Sequence, residues 1–404
     1  MRRAACAFVF LFALASCVSA RQSLPSCQPA FPYQQGWLGG DAASSAAVSA
    51  SDAEAKETLW FFGDTFIGVP GATNRRGAAL VNNTVARSQC DARDGWTIEY
   101  GWLERDGHPA SVFAPPEREG EFYWPLASVS IGGTPYVFLS RTMLVGQGSS
   151  FAVVGTDVAR VTNPGAEVSD WRIEYAGLLD NETYIPAAAA IVEGDFVYVV
   201  GFVQGRADPS TPRFVSRLPL AALEAFAGNL GERLEMWTGT DWVVGGEPAI
   251  LMDDSATEMG IQRLPDGCGW MVSYLTPIQP GDAGLSENIY IRTAKSLEGP
   301  WSERRLLVKA PEMSAQAANG FIPGTVCYAA KLQPQFGTST HLSITYVCNI
   351  WLSVADGPNV ERGSDQEAAI QDAMNVYVPR ALSVPLPQPA NEDGLVSECP
   401  WLIE

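Results

Sequence analysis

Two aspartates near the start of the chain have the surroundings that acid/base chemistry asks for. Asp41 follows a Gly pair and Asp64 follows Gly63, and each stands at the end of an apolar run: WLGGDAASSAAVSA, a polar turn over residues 51–56, then ETLWFFGDTFIG. The first run reads as a small-residue strand, the second as a strand buried on both faces. Joined as an antiparallel hairpin, they place the start of the first beside the end of the second, so Asp41 and Asp64 become neighbours. Paired carboxylates beside glycines that admit a ligand are what cleavage of a glycosidic bond requires. Each aspartate has a plainer reading as a turn former.

The elements that position this pair recur along the chain. WTIEYGWL, ending at Leu103, is matched by WRIEYAGLL, ending at Leu179, at the same place in the next unit. Further units contain YIPAAAAIVEGDFVYVVGF, EPAILM with CGWMVSYLT, and VCYAAKLQP with HLSITYVCNI. From residue 37 to 386 this divides into five units of four strands each, the pattern of an all-β, five-bladed β-propeller occupying residues 27–404. Ala187 to Ala190 is the small-residue run expected of an innermost strand, and the competing architecture is a multi-sheet sandwich.

In each unit the start of strand one and the end of strand two lie at one face near the axis. That ring collects Asp41 and Asp64, then Trp124 and Arg141, then Glu182, Tyr184 and Gln204. Glu247 and Tyr274 follow from the fourth unit, Tyr328 and Asn349 from the fifth. Aromatics can stack on sugar faces while polar groups hold hydroxyls. Arg141 reads equally as a substrate ligand or as an ion-pair partner of Asp64, and Glu247 equally as a catalyst or a structural hydrogen-bonding group.

Residues 1–20, with an Arg pair and an apolar run, read as a secretory signal. Its end is ambiguous between a lipoprotein box at Leu14-Ala15-Ser16-Cys17, which would leave Cys17 lipidated, and cleavage after Ala20. Six cysteines remain, an even number suited to an oxidising compartment. Cys327 and Cys348 are expected as a cross-strand disulfide. Cys27 and Cys399 are expected to join the termini, leaving Cys90 with Cys268. The net charge of -19 disfavours nucleic acid and acidic glycans and suits a neutral polysaccharide or oligosaccharide, bound by a monomer. No cofactor is implied. Asp253-Asp254 and Asp91-Ala-Arg-Asp94 leave a structural calcium open, though neither has the ligand density of a calcium loop.

The motifs GGD, LWFFGDTFIG, VNNTVA, YWPLA, Y-x-PAAA, EPAIL and RTAKSLEGPW resemble those of the five-bladed propeller glycoside hydrolases, the arabinanase, β-xylosidase and invertase-like clan. Within it the chain is most similar to the family known as domain of unknown function 4185. The resemblance implies cleavage of a furanose polymer of the D-arabinan type, and the hairpin geometry makes Asp41 and Asp64 the candidates for base or nucleophile. The resemblance also places Glu182 where related propellers carry an acid. The alternative function is a carbohydrate-binding propeller without turnover.

Overall fold

The computed structural model describes residues 27–48, 56–91, 95–116, 118–145, 151–204, 211–255, 258–264, 267–276, 287–314, 325–350 and 364–386. Residues 1–20, read above as a signal, with Cys17 among them, and Cys399 lie outside them. The fold is all-β, with three short α-helices at Leu220–Ala225, Pro311–Ser314 and Ser364–Asp372.

Of the seven sheets among the described residues, all antiparallel, five larger ones follow one another along the chain. The first runs Ser44–Ala47, Lys56–Phe62, Thr84–Asp91 and Gly95–Gly101; the second Glu121–Ile131, Thr134–Leu144, Phe151–Val161 and Ile173–Leu179. The third runs Tyr184–Glu193, Phe196–Val203, Arg213–Pro219, Glu235–Trp237 and Trp242–Val244. The fourth runs Met259–Arg263, Trp270–Leu275, Asn288–Ala294 and Arg305–Lys309; the fifth has three described strands, Thr325–Leu332, His341–Ile350 and Pro379–Pro385.

The first strand of each sheet packs against the first strand of the next. Gln333 and Gln335 close the series by donating to the Ala43 carbonyl and the Ser45 hydroxyl, at 3.2 and 2.6 Å. Together these strands enclose a cavity of about 310 Å³ lined by Ser44, Ser128, Ala189, Gly260 and Gln333 among others. Small residues are needed there because the strands converge: a Cβ on Gly260 would lie 2.0 Å from the Leu332 amide nitrogen. Serines, Lys331 and glutamines interrupt an otherwise small and apolar lining, and the core that includes Leu126, Ala187, Met259 and Ile261 continues outward between neighbouring sheets.

Two sequence expectations are corrected. Glu247 does not open the innermost strand of the fourth sheet: the EPAILM segment forms no strand and instead bridges Met252 to Arg213 and bonds Ala249 to Trp237 of the third sheet, and the innermost strand is Met259–Arg263. Cys27 is bonded to Cys90, not Cys399, which also excludes Cys90 with Cys268; the latter is itself disulfide-bonded. The cause is local packing. Phe31 sits edge-on to Trp60 at 4.9 Å and to Phe62 at 5.8 Å, and the Trp96 indole donates to the Ala30 carbonyl, so residues 27–34 are laid along the first sheet within reach of Cys90. Cys327 and Cys348 pair directly across adjacent strands and are bonded, with Cα atoms 4.0 Å apart.

Candidate active site

The hairpin expected from the sequence forms, but it is broken in the middle. Trp37–Gly40 pairs with Thr65–Ile67 in a small separate sheet, while Ser44–Ala47 pairs with Lys56–Phe62 in the first large one. Ala42 and Ala43 make the break with successive left-handed conformations, φ 67° and 60°, which are costly for residues with a side chain and which turn the strand into the ring. Asp41 lies at one side of this break and Asp64 at the other. Their backbones are linked from the Asp41 amide to the Asp64 carbonyl and from the Gly63 amide to the Asp41 carbonyl, the latter at 3.1 Å. Gly63 is required: a Cβ there would lie 2.3 Å from Asp41 Oδ1.

Each carboxylate is held by one oxygen. Asp41 Oδ2 accepts from the hydroxyls of Tyr328 at 3.0 Å and Tyr377 at 3.4 Å. Asp64 Oδ1 accepts from the Trp124 indole at 2.7 Å and the Asn82 amide at 3.3 Å. Among the described residues no hydrogen bond reaches Asp41 Oδ1 or Asp64 Oδ2, so the pair presents one uncommitted oxygen each.

Burial dominates the titration of both. It raises Asp64 to about 6 although Trp124 and Asn82 pull the other way. Asp41 is raised well above the carboxylate range, by burial first and then by the charges of Asp64 and Glu258, against the two phenols. Tyr328 and Tyr377 are themselves raised by burial and by Asp41, so they remain donors.

Glu258, Tyr377 and Asn82 were not singled out from the sequence. Glu258 immediately precedes the true first strand of the fourth sheet, the position that Glu247 was expected to fill, and its carboxylate pairs with Lys331 at 2.8 Å. Tyr377 follows the helix Ser364–Asp372 in a left-handed conformation, φ 58°, with no periodic pattern to mark it. Asn82 lies in the VNNTVA motif, and its neighbour Asn83 bridges the first sheet to Phe113 and Tyr123, fixing the strand that carries Trp124.

The other expected residues are dispersed. Arg141, 3 % exposed, does not bond Asp64; it is enclosed by Glu121 at 2.8 Å, Asp157 at 3.0 Å and Asp180. Tyr274 is fully buried, its hydroxyl tied to Asp254 and Arg292, so it offers no face to a sugar. Gln204 holds the Val153 and Glu182 carbonyls. Asn349 bonds the Tyr328 hydroxyl. Glu182 and Glu247 are exposed, and Glu247 accepts from Tyr184 at 3.3 Å. Among the described residues no group of three or more His, Cys, Asp or Glu is arranged to hold a metal ion.

Residues 29–366 match the family described as domain of unknown function (DUF5005), and the chain belongs to that family. It is a different family from the one its motifs resemble. No curated protein matches the sequence. Among solved structures, a "putative hydrolase" from Bacteroides ovatus superposes with a TM-score of 0.63 at 14% identity, covering 87% of this chain and 86% of that one, which is a likeness of fold. An exo-1,5-alpha-L-arabinanase from a bovine ruminal metagenomic library (TM-score 0.43, 9% identity, 88% and 96% covered) and a Cellvibrio cellulosa alpha-L-arabinanase mutant (0.42, 12%, 88% and 93%) are too distant to support an argument.

Proposed function

We propose that this chain is a glycoside hydrolase, a five-bladed β-propeller occupying residues 27–404 whose blades are the five sheets, cleaving a neutral furanose polysaccharide of the arabinan type. The observation that carries the reading is the arrangement of Asp41 and Asp64: two carboxylates at one strand break, each anchored through one oxygen, each open at the other, and both titrating high. A protein whose need at these positions was only structural would gain nothing from two adjacent, half-buried carboxylates whose ionisation is disfavoured.

In this reading Asp41 is the general acid. Held protonated by burial and by the charges beside it, it passes its proton from Oδ1 to the glycosidic oxygen as the bond to the anomeric carbon breaks. Asp64, ionised above about pH 6, uses Oδ2 either to attack the anomeric carbon or to take a proton from the attacking water. Adjacent backbone positions favour the close spacing of about 5 Å that gives retention through a covalent glycosyl intermediate. Trp124, beside Asp64, serves as a stacking surface for the sugar, and Tyr184 with its partner Glu247, together with Glu182, serves as hydroxyl contacts elsewhere along the chain of sugars. The disulfides and the signal-like residues 1–20 support export, with Cys17 as a lipid anchor and a monomer as the working unit.

Purified protein incubated with debranched arabinan and with arabinogalactan is expected to release reducing ends from at least one. Loss of release in both Asp41→Asn and Asp64→Asn, by about 10²-fold or more, is expected of catalytic carboxylates. Retention of either polymer without any release in the parent protein replaces the hydrolase with a carbohydrate-binding propeller.

A further inference from the structure

One face of the second sheet continues outward from Asp64 as an apolar surface. Strand pairing puts Trp124 opposite Ser140, Phe122 opposite Thr142 and Leu144 opposite Phe151, so Phe122, Trp124, Leu144 and Phe151 share that face. The three rings are in contact: Trp124 meets Phe151 edge-on at 4.6 Å and Phe122 edge-on at 5.3 Å. The outer members are open to solvent, Phe151 at 52 % and Leu144 at 62 %. The inner member is fixed, because the Trp124 indole nitrogen donates to Asp64 Oδ1 at 2.7 Å.

We propose that Phe122, Trp124, Leu144 and Phe151 form a platform that binds a further sugar ring of the polymer chain, beyond the unit held at Asp41 and Asp64. The proposal rests on the hydrolase reading for the identity of the chain, and on the structure for the place. Exposed aromatic edges and a leucine cost hydration free energy unless something apolar covers them. The C–H face of a sugar is such a surface, and it needs no charge from a protein whose own net charge is -19. Continuity fixes the occupant: the indole that starts the platform touches the carboxylate where the chain is cut, so the next ring of the same chain is delivered onto it. The ligand class is therefore an uncharged oligosaccharide or polymer spanning several rings, with the platform adding affinity that a single sugar cannot use.

The test is native affinity electrophoresis of the Asp41→Asn chain, in gels containing debranched arabinan, arabinogalactan, xylan or levan. At least one polymer is expected to retard it, with Phe151→Ala and Leu144→Ser each weakening the retardation about tenfold and fivefold respectively. Leu306→Ala, which removes an apolar side chain 47 % exposed from the fourth sheet, is expected to leave it unchanged. Both platform side chains are largely solvent-exposed, and thermal midpoints of the variants check that they fold. Retardation by none of the four polymers, retardation unchanged in both platform variants, or an equal loss in Leu306→Ala overturns the platform. Reducing-end release by the parent chain is scored separately. Binding that depends on Phe151 without any release leaves the platform standing and removes the hydrolase, whereas release with no effect of Phe151 or Leu144 removes the platform alone.

Discussion

Asp41 and Asp64 are neighbours in the fold and unlike in their surroundings, and the proposed division of acid and base between them rests on that difference. Asp64 has an indole and an amide on one oxygen and still rises to about 6, so it ionises below neutrality. Asp41 has two phenols on one oxygen, yet burial and two nearby carboxylates keep its proton to higher pH. The rate is expected to climb as pH passes through about 6, where Asp64 loses its proton, and to fall where Asp41 does. Tyr328→Phe removes a donor that favours ionised Asp41, so the alkaline limb should move upward while the acid limb stays; kcat/KM against pH reads both. An alkaline limb that does not move detaches it from Asp41. The same shift is a stability statement. The folded protein holds the Asp64 proton more tightly than the unfolded chain does, so this group's contribution is intact below the ordinary carboxylate range and is lost as pH rises toward 6. Asp64→Asn should therefore unfold at higher denaturant than the parent at pH 8, by on the order of 1–3 kcal/mol, with the gap closing at pH 4. An equal gap at both pH values removes titration as its cause.

At the scale of elements, the pair depends on a segment distant in sequence. Arg75 is fully buried and donates to the carbonyls of Leu38 at 2.7 Å, Ile370 at 2.7 Å, Ala373 at 2.9 Å and Val376 at 2.6 Å, and to the Tyr33 hydroxyl at 3.1 Å. No carboxylate is among these partners. The guanidinium thus joins the strand before Asp41 to the stretch that presents Tyr377, using a planar fork of five donors that an ammonium lacks. Arg75→Lys should cost about 3 kcal/mol or more of stability, since several buried carbonyls lose their donors at once, and a denaturant midpoint within experimental error of the parent would sink this clamp. None of it was legible in the sequence, where Arg75 and Tyr377 belong to no repeat and meet only after the chain closes on itself. What could be read was the periodic part: the Ala run at 187–190 falls in the innermost strand Tyr184–Glu193, and the Gly-Asp junctions bring Asp41 beside Asp64. The fourth sheet was misread because EPAILM carries the apolar content of a strand, while the five-residue strand Met259–Arg263 is short enough to be overlooked; with it went Glu258. Cys27 was misassigned for a similar reason, because its partner is set by where Phe31 packs, a contact with no local signature.

For the whole molecule, the question is where a body of acidic net charge is held if the N-terminal segment is anchored. Cys27 is covalently joined to Cys90 of the first sheet, so the body of the protein is fixed ten residues after Cys17. Ten extended residues reach about 35 Å at most. If Cys17 carries the lipid, Cys90 of the first sheet stays within that tether of the bilayer, and a net charge of -19, more negative still once Arg2 and Arg3 are removed, repels anionic headgroups. One acyl chain alone anchors only marginally, whereas the several chains of a bacterial lipoprotein hold firmly, so the protein should partition almost wholly with membranes. Cys17→Ser should shift it to the soluble fraction or stall it unprocessed, without lowering the activity of whatever is recovered, because residue 17 precedes the segment from Cys27 onward that carries Asp41 and Asp64. Fractionation with N-terminal sequencing decides the matter: a parent protein that is soluble and begins at Arg21 sinks the anchor and leaves export by the ordinary route.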